Sequence, residues 1–425
     1  MEDSNTGVEQ LLVISNGVEL ESTAEKSPQQ IFEMPPVPDY LGPGITNVVP
    51  SIFLHLARTH GSLFSRSMGE IEEKVFSINP GLTPDLESWV PEEVSQASQI
   101  VLLVLDGLGF TQLARCSDAL SNLSLFSQRQ ISSVAPTTTA TALTSISTGA
   151  TPATHGLLGY RMRLEGDKVM NSLSWSMSTD LDSRAPKPED VQPRIPFLNF
   201  QPKVVTKAQY QHTGFTKAHL RNTQIFDYRL PSTMVDHVEE LLHGGEAFVY
   251  AYYEGIDTVA HEYGLSDCYL EELRFVDYLL GRLISSLPQG ALLLVTSDHG
   301  QVEVPAAPIE LDARILESTR VLSGEGRFRW LHVKGGDLDK VVEIANELYG
   351  RDAWVVTRDK LIQGGYYGSS AENRIEVSRL GEVALIAKTN VAFYDPADTG
   401  PYNLVCRHGS LTEDELQVPL LSYLA

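Results

Sequence analysis

The sequence predicts an α/β fold, a mostly parallel central sheet flanked by helices with a small α+β subdomain inserted late in the chain. Three observations carry this. QIVLLVLD (99–106), AFVYAYY (247–253) and ALLLVTSD (291–298) are near-continuous apolar runs, as expected of strands covered on both faces. Amphipathic stretches alternate with them, which is the pattern of a parallel sheet with crossover helices. Asp106, Asp257 and Asp298 stand at or just beyond the ends of these runs, where open parallel sheets gather ligands.

In chain order, residues 1–37 are acidic and polar with a Pro-Pro pair at 35–36, and are expected to form a loose arm. The core is assigned to 38–305 and 401–425. Its first element is TNVVPSIFLHLARTHG (46–61), where Ile52, Phe53, Leu56 and Ala57 fall on one helical face. TALTSIST (141–148) follows a Thr-rich turn and starts a helix. Residues 160–235, rich in Pro, Ser and charge, show little periodicity and read as a cover over the strand ends. SDCYLEELRFVDYLLGRLISSL (266–287) is a long amphipathic helix with Leu270, Leu273, Val276, Leu280 and Leu283 on one side. The inserted α+β subdomain spans 306–400, with strands at RFRWLHVKG (327–335) and AWVVTR (353–358) around a helix at DLDKVVEIANELYG (337–350).

A net charge of −23 argues against a nucleic acid polymer or an anionic membrane as partner, because an acidic surface repels phosphates. A small phosphorylated substrate stays open, since bound cations invert the potential locally. No stretch reaches the roughly 20 apolar residues a membrane helix needs. The opening MEDSNTGVEQ lacks the positive region of a signal peptide, so a cytoplasmic location is expected. Cys116, Cys268 and Cys406 lie far apart and read as reduced thiols. Nothing in the sequence fixes the oligomeric state.

Six residues suggest a metal centre: Asp106, Asp257, His261, Asp298, His299 and His408. Asp257 and His261 are four apart, so on a helix both face one ion. Asp298 and His299 diverge on a strand but converge where the chain bends at its end. Any one of these pairs alone is more often a solvated helix face or a turn. Together, each trailing a buried strand or preceding a glycine, they point to a divalent-metal site. PTTTATALTSIST (136–148) adds several hydroxyls at a predicted helix N-terminus, which favours anions. Metal coordination can turn such a hydroxyl into a nucleophile.

These motifs resemble the alkaline phosphatase superfamily, in particular its type I phosphodiesterase/nucleotide pyrophosphatase branch. The residues that carry the resemblance are Asp106-Gly107, Pro136-Thr137-Thr138-Thr139, Thr148-Gly149, His155-Gly156, Asp257 to His261 with Gly264, Ser297-Asp298-His299-Gly300, and His408-Gly409 with Glu415 and Val418-Pro419. They cover roughly 98–305 and 400–421. The resemblance implies the alkaline phosphatase-like fold and two divalent ions, zinc with manganese as the alternative. Asp257, His261 and His408 would hold one ion, and Asp106, Asp298 and His299 the other. Thr139, ten residues before Gly149, would be the nucleophile and a ligand of the second ion. Two positions depart from the branch. Ala140-Thr141-Ala142-Leu143 stands where nucleotide-cleaving members have Phe-Pro-Asn-His, so the Asn that binds a phosphate oxygen is replaced by Ala142. Gln301 replaces a Met.

The implied activity is cleavage of phosphate esters, of the phosphodiester or nucleotide pyrophosphate type, through a phosphothreonine. The alternatives are a phosphomonoesterase or phosphonate hydrolase using the same site, or a non-catalytic metal-stabilised binding protein. A sulfatase is disfavoured because the Cys/Ser-x-Pro-x-Arg sequence is absent. A cofactor-independent phosphoglycerate mutase is disfavoured by Thr in place of Ser.

Overall fold

A computed structural model describes residues 34–63, 66–78, 89–177, 185–368, 376–398 and 404–425. Most of the arm expected over 1–37 lies outside them. Pro35, at its end, is buried, and its carbonyl accepts a hydrogen bond from the Tyr366 hydroxyl.

The elements that matter for function are, in chain order, helix α1 (Ile45–His60), strands β1 (Gln99–Leu105) and β2 (Ser127–Ser132), helix α2 (Thr139–Thr148), strands β3 (Lys203–Lys207) and β4 (Gln224–Tyr228), helix α3 (Pro231–His243), strand β5 (Phe248–Tyr253), helices α4 (Gly255–Tyr263) and α5 (Asp267–Ser286) and strand β6 (Ala291–Thr296). There follow β7 (Thr319–Glu325), β8 (Phe328–Val333), α6 (Leu338–Tyr349), β9 (Ala353–Thr357), β10 (Val383–Ala387) and β11 (Gln417–Leu424).

Seven strands form the main sheet in the order β2-β11-β6-β1-β5-β3-β4. The pairings β6–β1, β1–β5, β5–β3 and β3–β4 are parallel, while β11 is antiparallel to both β6 and β2. Every strand except β11 therefore runs the same way, and the sheet is mixed rather than wholly parallel. Three apolar runs predicted its centre. Residues 160–235 contain two further strands, β3 and β4, as well as the cover expected there. Their sequences, KVVTK and QIFDY, are short and polar-ended, so periodicity does not reveal them.

All of Ile100–Leu105 is fully buried, yet alternate residues enter different cores, as the two-residue period of a strand requires. Ile100, Leu102 and Val104 pack with α1 and α2; Val101, Leu103 and Leu105 pack with α3 and α5. Each such side chain contributes about 1.5–3 kcal/mol, so both faces of β1 hold it rigidly.

A second sheet, antiparallel in the order β7-β8-β10-β9, lies within 306–400. Leu331, Val333, Val383 and Leu385 face α6 in a core of their own. Phe328, Trp330, Ala384 and Ile386, one register step away, join the larger core of the main sheet. The insertion is thus fastened to the body through one whole face. Among the described residues no helix is long and apolar enough to cross a membrane.

Candidate metal centre

The sheet topology explains how residues spread over 300 positions reach one place. β6, β1 and β5 are adjacent and parallel, so their carboxyl ends share one edge. Asp106 follows β1, Asp298 and His299 follow β6, and Asp257 lies in the first turn of α4 after β5. The Asp257 N–H donates to the Asp106 carbonyl (3.1 Å) and the Asp106 N–H to the Tyr253 carbonyl (2.9 Å), which locks the turns together. β2 runs the same way and delivers the threonine loop to that edge. β11 runs oppositely, so the chain before it, with His408, arrives there too. Gly107 has φ +76°, and a Cβ would stand 3.0 Å from the Asp257 Cα, so the turn after Asp106 admits only glycine without strain.

The three histidines are held in one tautomer. Nδ1 of His261 meets the Cys406 carbonyl at 2.7 Å, Nδ1 of His299 the Gly300 carbonyl at 3.1 Å, and Nδ1 of His408 the Thr137 carbonyl at 2.9 Å. A carbonyl only accepts, so each Nδ1 carries the proton and each Nε2 presents a lone pair. The Nε2 atoms face carboxylates: His261 to Asp257 Oδ2 at 3.3 Å, His299 to Asp106 Oδ1 and Asp298 Oδ2 at 3.5 Å each, and His408 to Asp257 Oδ1 at 3.9 Å. Asp106 Oδ1, Asp257 Oδ1 and Asp298 Oδ2 are buried without a hydrogen-bond partner. Lone pair facing carboxylate with no proton between them is repulsive, and a cation between them removes the repulsion. The donor set therefore fits divalent ions, and its mixed N/O composition suits zinc.

Ligand atoms of Asp257, His261 and His408 lie within 4.8 Å of one another, and so do those of Asp106, Asp257 and His299. Asp257 belongs to both groups. Asp298 is tied differently. Its Oδ1 accepts from the N–H of Gly107 (3.1 Å) and of His299 (3.0 Å), which turns Oδ2 toward His299. Burial, then Asp298 and Asp257, raise the Asp106 pKa well above the usual carboxylate range, although the Tyr252 hydroxyl donates to its Oδ2. Burial, then His299 and His261, hold His408 well below the usual imidazole range, and its ring stacks on that of His299 at 3.6 Å between centroids.

Thr139 is the first residue of α2, and its Oγ1 lies 3.1 Å from His299 Nε2. The helix takes no side-chain cap at Thr138, so its first amides stay free for an anion. The neighbouring threonines serve other ends. Thr137 Oγ1 donates to the Ser410 carbonyl (2.7 Å) and accepts from the Gly409 N–H (3.1 Å), which joins the threonine loop to the His408 loop. The Thr138 side chain bonds that of Glu325. Ala142 and Thr141 are wholly buried in α2, so neither stands in for the missing amide side chain at the cavity.

A cavity of about 660 Å³ opens over Thr139, Asp257, His261 and His408. Its far wall comes from the short strands Arg161–Arg163 and Val169–Asn171 and from Ser174 to Met177; the insertion supplies Glu325 and Gly326. Four arginines, Arg161, Arg163, Arg327 and Arg329, could either contact a substrate or pair with the protein's own excess of acids. All four are engaged within the protein. Arg161 and Arg329 bind Asp395 and Asp398, Arg163 donates to the Gly166 carbonyl, and Arg327 forms a bidentate pair with Glu415 at 2.8 and 2.7 Å, both side chains fully buried. Glu415 also accepts from the Ser410 N–H at 2.9 Å, so this pair carries the loop of His408. Glu325 and Arg407 are among the cavity residues that were not singled out in the sequence. Burial raises the Glu325 carboxyl well above its usual range, and its Oε1 has no partner. Arg407 directly precedes His408, and that adjacency was its only signal. His155 accepts from the Leu157 N–H and bonds Ser145, and burial pushes it down to about 3; His332 is likewise buried against Ser323. Neither reaches the metal groups. All three cysteines are free.

Residues 100–411 match the sequence profile of the family described as Type I phosphodiesterase / nucleotide pyrophosphatase. No curated protein matches the chain in sequence. Among solved structures, murine ectonucleotide pyrophosphatase/phosphodiesterase 5 in an inactive form with AMP superposes with a TM-score of 0.58 at 16% identity, over 77% of this chain and 88% of that one. The human counterpart gives 0.58 at 18% identity, over 76% and 87%. Phosphonoacetate hydrolase from Sinorhizobium meliloti 1021, in complex with phosphonoformate, gives 0.56 at 17% identity, over 77% and 90%. At such identities these likenesses establish the fold.

Proposed function

The chain belongs to the type I phosphodiesterase/nucleotide pyrophosphatase family of the alkaline phosphatase superfamily and is a phosphoester hydrolase, and from that premise we propose that it works through a phosphothreonine on Thr139 at a two-ion site. One observation carries the reading. Three buried carboxylate oxygens without partners face the Nε2 lone pairs of His299 and His408, the His261 Nε2 faces the other oxygen of Asp257, and the Thr139 hydroxyl joins the same cluster through His299. Asp257, His261 and His408 would hold one ion; Asp106, Asp298 and His299 would hold the other, beside Thr139. Zinc is the ion proposed. When bound, the ions would lower the pKa of the threonine hydroxyl and neutralise charge on the phosphoryl oxygens.

The remaining work belongs to the chain. Thr139 Oγ1 attacks phosphorus and gives its proton to solvent; its O–P bond forms as the bond to the leaving oxygen or carbon breaks, and the leaving atom takes a proton from solvent where it needs one. The free amides at the start of α2 receive the phosphoryl oxygens. Water then cleaves the threonine–phosphorus bond and restores the hydroxyl. The Thr137 contacts to the His408 loop keep nucleophile and ligands in register.

Ala142 favours a second reading of the substrate, a monoester or phosphonate rather than a nucleotide diester, because a side-chain donor to the phosphoryl group is absent. Relative turnover of bis-p-nitrophenyl phosphate and p-nitrophenyl phosphate by zinc- and manganese-loaded protein, with metal content measured alongside, decides between them. A fully active, metal-free preparation would overturn the two-ion site.

A further inference from the structure

We propose that Arg407 is the specificity-determining residue that receives a second anionic group of the substrate, so that the preferred substrate is a phosphate or phosphonate with another anion a few bonds from the scissile phosphorus. This deepens the reading above and rests on it.

Arg407 lines the cavity next to the ligand His408. Its Nε is buried without a partner, and among the described residues its guanidinium forms no ion pair or hydrogen bond. The arginines around it differ. Arg161, the second arginine on the cavity wall, is held by Asp395 and Asp398, and Asp398 is shared with Arg329. Those two arginines and two aspartates balance, which leaves the charge of Arg407 over. Burial, the main influence, lowers the Arg407 pKa; Asp398, already bound by Arg161 and Arg329, opposes it from a distance, and Arg329 and Arg327 push the same way as burial.

An unpaired, partly buried cation is costly to keep in a folded protein. A ligand that brings a matching anion removes that cost, and a planar guanidinium suits carboxylate or phosphate oxygens. Space for it is provided by Gly326, whose missing Cβ would lie 3.0 Å from Arg407 Nη1. Arg407 and His408 line the same cavity, so the anion that Arg407 receives shares it with a phosphoryl group seated beside His408. The polar wall of Asn171, Ser174 and Ser176 accommodates a hydrophilic remainder.

The test uses metal-loaded wild type, Arg407→Gln, Arg407→Lys and Gly326→Ala. Turnover of p-nitrophenyl phosphate and bis-p-nitrophenyl phosphate, which carry no second anionic group beside the scissile phosphate, is compared with that of ADP and inorganic pyrophosphate (a second phosphate) and of phosphonoacetate (a carboxylate). Arg407→Gln should lower kcat/KM on the two-anion compounds about 10- to 100-fold more than on the nitrophenyl esters, the size of a lost charge-assisted hydrogen bond. Arg407→Lys should restore part of the difference, and Gly326→Ala should reproduce part of the loss. The compound with the larger ratio tells phosphate from carboxylate. Calorimetric binding of methylenediphosphonate and phosphonoacetate should weaken by a similar factor at unchanged metal content. Equal losses on both sets, or binding indifferent to Arg407, overturn the proposal while the hydrolase reading stands. Binding that depends on Arg407 in a protein that turns over neither set would support the receptor and overturn the two-ion phosphothreonine reading instead.

Discussion

Asp257→Asn should change stability in opposite directions with and without metal. The Asp257 carboxylate belongs to both metal groups, and its Oδ1 has no partner. Ligand atoms of Asp257 and Asp106 lie within 4.8 Å; at an effective dielectric of about 20, two full charges at that separation repel by about 3 kcal/mol. Asp257 keeps 14% of its side-chain surface exposed, and a stripped site can relieve itself by binding a proton, so a gain of about 1–2 kcal/mol is the realistic size. The amide keeps the shape and removes the charge. Metal-stripped Asp257→Asn should therefore unfold at higher urea than stripped wild type. With zinc added the order should reverse, because the variant loses a ligand of the ion proposed to sit with His261 and His408 and about 100-fold in its affinity, and binding to the native state is what raises stability. Urea midpoints with and without chelator, read with zinc content per chain, give both signs in one experiment. A stripped variant no more stable than stripped wild type would show that the carboxylates do not confront one another as described. A variant that still holds two ions with full turnover would show that Asp257 is not a metal ligand.

Thr139→Ala should abolish turnover while zinc content stays near that of wild type, and a quenched reaction should place phosphate on the Thr139 peptide by mass spectrometry; phosphate on Thr137 or Thr138 refutes the assignment. Thr137→Ala should instead cost about 2–3 kcal/mol in urea unfolding, since its buried hydroxyl both donates and accepts. Gly107→Ala should destabilise the protein and lower metal content, because φ is +76° and the new Cβ would stand 2.4 Å from Gln301 Nε2; wild-type metal binding would count against the close packing of this turn. Arg327→Met leaves Glu415 charged and buried without its partner, at about 3–5 kcal/mol; a loss below about 1 kcal/mol would mean the pair does not brace the His408 loop.

What was legible in the sequence depended on how much of each element is buried on both sides. β1, β5 and β6 are central, so their apolar runs announced them, and with them the places of Asp106, Asp257 and Asp298. β2 reads SQRQIS, with its first four residues exposed, and sits at the sheet edge, where polar residues are tolerated and the pattern fades. β11 was hidden for another reason: its value lies in its direction, opposite to its neighbours, which no local pattern encodes. The role of the arginines could not be decided locally because their partners are remote. Arg327 finds Glu415 88 positions away, and Arg161 finds Asp395 234 positions away. The absence of a partner for Arg407 is just as invisible until the whole fold is assembled.

The fold divides chemistry from selection. Asp106, Asp257, Asp298 and His299 follow strands of the main sheet directly or within one turn, so the stiffest part of the protein sets their spacing. His408 lacks that support. It reaches the cluster from the loop before β11, and that loop is held by Thr137 on one side and by Glu415 on the other. Glu415 is in turn clamped by Arg327, which lies beside β8 of the second sheet. The insertion therefore does more than roof the cavity with Glu325 and Gly326, since through Arg327 it also fixes where His408 and Arg407 stand. If Arg407 receives a second anion as proposed, changes in the second sheet should alter which anions are accepted, while the aspartates at the strand ends keep their geometry.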